Sequence, residues 1–163
     1  MRFICAIRFL LAAALVCSCA AAPVPKPVSQ PATTQQVKKL VAVLKSDASE
    51  KEKADACREL ARIGNKDAVA PLAALLPDEK LSHMARYGLE TIPGSSVDKA
   101  LREAAGKLQG RTLVGVIGSI GVRRDTRAVP VLTKLLRSPD NEVVQAAARS
   151  LGSIGNPAAA DAR

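Results

Sequence analysis

Residues 117–156 read "IGSIGVRRDTRAVPVLTKLLRSPDNEVVQAAARSLGSIGN", opening on IGSIG and closing on LGSIG. The same short phrase recurs elsewhere: LARIG at 60–64, LETIP at 89–93, IGSIG at 117–121 and LGSIG at 151–155. The spacings are 29, 28 and 34 residues, the period of a repeat architecture. Each phrase ends a run with apolar residues at helical spacing. In "KADACRELARIG" these are Ala56, Leu60 and Ile63, and in "EVVQAAARSLGSIG" they are Val143, Ala147, Leu151 and Ile154. Gly64, Gly121 and Gly155 then stand where a helix would stop, and the expectation is that they do so by adopting positive φ.

A second helix follows each stop. "DAVAPLAALL" (67–76) and "RAVPVLTKLL" (127–136) superpose at an offset of 60, with Pro71 and Pro130 in the first turn and Asp67 and Asp125 as N-caps. "SVDKALREAAGKL" (96–108) is a divergent copy with Ser96 as its cap. "PDEK" and "SPDN" are polar turns between units. The unit is therefore a helix pair of about 30 residues, too small to bury its own apolar stripe. Neighbouring pairs must stack to make a core. This predicts an all-α chain, an α-solenoid of stacked antiparallel helix pairs with about four repeats over residues 35–163.

The pattern "AVPVLTKLLRSPDNEVVQAAARSLGSIG" resembles a HEAT repeat, and is similar to the short, Gly-terminated bacterial kind associated with phycobilisome lyase subunits. The resemblance is strong over 122–156, good over 49–76 and weak over 94–121. It implies a superhelix that binds other macromolecules along its concave face; no cofactor is expected. The closing "GNPAAADAR" restates "GNKDAVAPLAALL" and stops, so the repeat domain is expected to be incomplete at its C-terminus.

Composition agrees with packed helices. The chain has 163 residues, no Trp, one Tyr (Tyr87) and two Phe, both before residue 10, so the core must be aliphatic. The same lack of aromatics weighs against base stacking. The first residues, "MRFICAIRFLLAAALVCSCAAAP", read as an export signal over 1–21: Arg2 and Arg8, then an uncharged stretch of 14 residues from Phe9 to Ala22. That stretch is shorter than the ~20 residues a spanning helix needs. "VCSC" (16–19) resembles a bacterial lipobox with Cys19 as the lipidated residue, which would anchor the protein at the cell envelope. Pro23, Pro25, Pro27 and Pro31 make 22–34 a stiff extended tether. Of four Cys, only Cys57 falls in the repeat region, which excludes an internal disulfide there.

The chain carries 24 basic and 15 acidic residues; setting Arg2 and Arg8 aside leaves 22 against 15, a net of +7, which favours acidic partners. Arg123, Arg124 and Arg127, with Lys134 and Arg137 one helix on, are the candidate partner-binding residues. Arg58 and Arg149 share a repeat register with Tyr87 and Gly115, and the four are expected to form one exposed stripe. Catalysis has little to draw on. His83 is the one His, it is expected at a surface rim, and no His-Glu dipeptide of the HEAT-like deoxyhypusine hydroxylases is present. Cys57 reads as a small packed residue, with Arg58 and Arg62 near enough in sequence to keep a reactive thiol in view. "GVIGSIG" (115–121) lacks the dinucleotide-binding spacing and predicts close helix packing, at a cost of about 1 kcal/mol per Gly. The expectation is a non-catalytic scaffold binding a protein partner. A chromophore-lyase-like or chaperone subunit and a nucleic-acid-binding protein are the alternatives. The export signal opposes both, and the missing aromatics oppose the second.

Overall fold

The computed structural model describes residues 30–155. The expected signal, the lipobox at Cys19, most of the tether and the interrupted C-terminal repeat lie outside these residues. Within them the chain forms eight α-helices and one 3₁₀ turn. They are α1 (Gln30–Lys45), α2 (Glu50–Ile63), α3 (Lys66–Ala73), α4 (Ser82–Thr91), α5 (Ser95–Ala105), α6 (Gly110–Val122), the 3₁₀ turn Thr126–Ala128, α7 (Val129–Leu135) and α8 (Asn141–Ile154). Helix α1 starts at Gln30, within the residues 22–34 expected to be tether.

The helices make four pairs, α1/α2, α3/α4, α5/α6 and α7/α8. The even-numbered helices stack in order, α2 on α4, α4 on α6 and α6 on α8, while α1, α3 and α5 form the opposite layer. This is an α-solenoid, as the repeat requires. The core runs between the layers as one aliphatic seam, including Leu60, Leu72, Leu89, Ile92, Leu101, Ile117, Ile120 and Leu132, all under 2% exposed. Burial of each contributes on the order of 1.5–3 kcal/mol.

Local chemistry starts and stops the helices, with several departures from expectation. Helix α2 carries a full capping box: Ser49 Oγ accepts from Glu52 N–H and Glu52 Oε2 accepts from Ser49 N–H at 2.8 Å. These bonds to Ser49 hold the Glu52 carboxyl below its ordinary pKa. Asn65, not Asp67, caps α3, accepting from Asp67 N–H at 2.9 Å. Asp125 caps the 3₁₀ turn. Asn65 and Asp125 stand at the full offset of 60, so the caps repeat as faithfully as the apolar positions. Pro71 consequently sits inside α3 rather than in its first turn, whereas Pro130 is in the first turn of α7. Gly94 (φ 112°), not Ser96, precedes α5, and no side chain caps that helix.

The repeat-ending glycines correct the expectation most clearly. Gly64 has φ −63°, Gly121 lies within α6, and Gly155 has φ 9°. Their common feature is crowding. A Cβ on Gly64 would stand 2.3 Å from Leu60 O and 2.9 Å from Ile92 Cδ1, and one on Gly121 2.7 Å from Ser150 Oγ. At Gly121 the crowding comes from α8, at Gly64 from its own helix and from Ile92, and at Gly155 from the Gly152 carbonyl of its own helix. The left-handed residue at the end of α6 is instead Arg124, φ 52°.

Candidate functional site

The structure places the five candidate cations in different surroundings. Arg123 is turned inward, its side chain 12% exposed. Its Nε donates to Asp98 Oδ1 at 2.5 Å, and its terminal nitrogens donate to the carbonyls of Leu89 (3.3 Å), Glu90 (3.1 Å), Ile92 (2.9 Å) and Gly94 (3.1 Å). It closes the C-terminal end of α4, whose last carbonyls have no partner within the helix. It is therefore engaged within the chain and withdrawn from the surface. Next to it Arg102 pairs with Asp125, so the cap of the 3₁₀ turn is also tied to α5. Arg124, Arg127, Lys134 and Arg137 are exposed.

Arg124 lines a groove of about 350 Å³ between α6 and α8. Val114 and Gly118 form the α6 wall, Arg149 and Ser153 the α8 wall, and Val122, 67% exposed, stands at the end. Among the described residues the groove has two arginines in its lining and no carboxylate. Arg127 lines a different recess, which Arg102, Arg123 and Arg124 also line, and neither Lys134 nor Arg137 lines either. Arg149 belongs to the register that also carries Arg58 and Tyr87, both exposed on α2 and α4. Gly115 interrupts that stripe, because the Arg86 guanidinium lies over it; a Cβ there would be 2.7 Å from Arg86 Cζ.

Sequence reasoning missed this second inward arginine. Arg86 Nη1 donates to Gly115 O at 3.2 Å, and Ser119 Oγ donates to Glu90 Oε1 at 2.6 Å, joining α4 to α6. Burial lowers the Arg86 pKa and Glu90 opposes that shift. The available signal was Gly115 itself, a glycine in mid-helix where equivalent positions carry Arg or Tyr.

The remaining candidates are quiet. Cys57 is fully buried and burial pushes its thiol up to about 11, which removes the thiolate needed for reactivity. Arg58 and Arg62 are occupied by Asp55 (2.5 Å) and Glu59 (3.2 Å). His83 is exposed on the first turn of α4. Among the described residues no group of three or more His, Cys, Asp or Glu is placed to hold a metal, and no helix is long and apolar enough to cross a membrane.

Residues 100–162 match the family model for HEAT repeats. The matched stretch includes α6, α7 and α8, the elements that build the groove and its arginines. No curated protein matches the chain. Among solved structures, the chain is similar to a designed armadillo repeat protein in complex with the peptide (KR)4, at 22% identity and a TM-score of 0.45, over 73% of this chain and 64% of that one. It is also similar to an engineered protein, at 25% identity and a TM-score of 0.43, over 72% and 62%. The chain thus spans less than two thirds of either.

Proposed function

We propose that the chain is a non-catalytic HEAT-type scaffold of the bacterial cell envelope that holds an acidic protein partner on its even-numbered helices. The observation that carries this reading is the α6–α8 groove. Arg124 and Arg149 flank it, half-buried Val114 and exposed Val122 supply apolar surface, and Gly118 keeps its floor low. An extended segment with a carboxylate at each end of an apolar residue would be matched by charge and shape. Such a surface needs no moving part; it presents a rigid row of side chains fixed by the stacked helices. The stripe through Arg58 and Tyr87 would lengthen the contact. Arg124 carries the role first assigned to the cluster of Arg123, Arg124 and Arg127, with Arg149 as its opposite number. The envelope setting rests on the export-type sequence of residues 1–21, and Cys19 would supply a lipid tether.

The test compares the full chain with its Arg124→Glu/Arg149→Glu variant, each immobilised in envelope extract at physiological salt. The expected result is one protein retained near equal stoichiometry by the first and lost from the second. Equal retention by both would remove the groove from the mechanism.

A further inference from the structure

A second recess, of about 440 Å³, opens between the N-terminal ends of α4 and α6, and the scaffold reading makes no use of it. Six donor side chains line it: Lys80, Ser82, His83, Arg86, Arg111 and Thr112, whose hydroxyl already donates to Gln109 O. His83 and Arg111 occupy the same register, each the second residue of its helix, 28 positions apart. Two helix starts therefore face the same space. Neither has a side-chain cap from its N-cap residue or an acidic residue in its first turn. At α4, Asp78 Oδ1 accepts from the N–H groups of Lys80 and Leu81, and the Asp78 carbonyl accepts from the Ser82 N–H at 2.7 Å. The start of α6 is the more open of the two dipole ends.

The buried groups point the same way. Ser82 is 5% exposed, and its hydroxyl has no hydrogen-bond partner. Arg86 Nε is also buried and unpartnered, although Nη1 of the same guanidinium is bonded to α6. Buried polar groups are almost always satisfied, so two unsatisfied donors in one recess mark the place of a missing acceptor. Arg111 is exposed and makes no ion pair among the described residues, while Lys80 meets Glu50 at 3.2 Å across the surface. Glu79, the one carboxylate at the recess, opposes three permanent cations.

We propose that this recess binds a phosphate-class oxyanion, as free phosphate or as the phosphate of a monoester. Donors converge from two helices, which suits the four oxygens of a tetrahedral centre better than a planar carboxylate. The Ser82 hydroxyl and Arg86 Nε–H would take the inner oxygens, and Arg111 and Lys80 the outer ones.

The experiment is calorimetric titration of the full chain with sodium phosphate, against sodium chloride at equal ionic strength and pH 7. One saturable site per chain is expected. Both Ser82→Ala and Arg111→Ala should weaken it by about tenfold or more, the loss of one hydrogen bond to a charged ligand. Arg137→Ala, which removes an exposed cation from the turn after α7, should leave it unchanged. Ser82→Ala removes a hydroxyl that bonds to nothing, so it keeps the fold, and circular dichroism verifies this. Glycerol phosphate and vesicles of phosphatidic acid, each competed against inorganic phosphate, distinguish a soluble monoester from a lipid headgroup; displacement by either supports the site. Absence of saturable heat, wild-type affinity in Ser82→Ala, or equal weakening by Arg137→Ala would each overturn the proposal.

Discussion

Replacing Arg123 by Ala tests whether the inward-turned arginine of the predicted binding cluster is a structural clamp. The side chain donates to one carboxylate and four carbonyls around the end of α4. Truncation leaves Asp98, 24% exposed, without its partner, and takes a donor from the last turn of α4. Breaking a fully buried ion pair from one side costs about 3–5 kcal/mol; water reaching the partly open Asp98 brings the figure toward the lower end, about 3 kcal/mol. That is a large share of the roughly 5–15 kcal/mol that holds a domain together. Urea unfolding followed by helical circular dichroism measures the loss, with Arg127→Ala as the exposed control, expected within about 0.5 kcal/mol of wild type. Because each repeat of a solenoid leans only on its neighbours, the damage should be local. Amide exchange should rise first in the last turn of α4 and the start of α5. A loss under about 1 kcal/mol, or one matched by Arg127→Ala, would refute the clamp and return Arg123 to the surface cluster.

Other substitutions probe the backbone and the buried thiol. Arg124, at φ 52°, should be better served by Gly there, and Arg124→Gly is expected to raise stability by about 1 kcal/mol in the same urea assay. Gly118→Ala should also stabilise by about 1 kcal/mol, since its Cβ would meet nothing within 4 Å, whereas Gly115→Ala should destabilise by displacing the Arg86 guanidinium; thermal melts showing the same sign for both would contradict the packing described. Cys57 should be unreactive toward thiol reagents at pH 8 until the chain unfolds. Its folded pKa of about 11 lies above the ordinary 9.0, so its contribution to stability is complete below pH 9 and is lost as pH rises to 11. Cys57→Ala should lack that part of the alkaline decline, and an identical pH profile in the two proteins would count against it.

The architecture was legible because packing repeats at fixed positions. Leu60, Leu89 and Ile117 recur at one register, and all three are fully buried. The caps were nearly legible: Asp125 was found, and Asn65 was overlooked for Asp67 although it stands at the same offset of 60. What the pattern concealed was the direction of the arginines. Arg123 and Arg124 are adjacent and identical in composition, yet one is buried in carbonyls and the other is solvent-exposed. The difference arises from the left-handed turn at Arg124, which no periodicity encodes. The glycines were misread for a related reason. A glycine at a helix end fits either positive φ or a close neighbour, and only the position of the next repeat decides between them.

Arg86 and Arg123 together explain how the weakest repeat in the sequence is held. The unit over 94–121 diverges most from its neighbours, and its helix α6 carries Gly115 and Gly118 in mid-span. Helix propensity therefore contributes least there, although Val97, Leu101, Val116, Ile117 and Ile120 are fully buried. The two arginines cross the same joint in opposite directions. Arg86, from α4, reaches Gly115 O on α6, and Arg123, at the end of α6, reaches the final carbonyls of α4. Each bond is directional, so the pair fixes how far α6 slides along α4, which apolar contacts alone leave soft. Gly115 leaves room at this joint for the Arg86 guanidinium, which a Cβ there would displace. The same placement sets the α6 wall of the partner groove and brings the start of α6 beside the start of α4. A polar joint in the middle of the solenoid thus positions both surfaces to which function is assigned. Loss of either arginine should therefore disturb partner and oxyanion binding together, while loss of Arg149 or Ser82 disturbs one and spares the other.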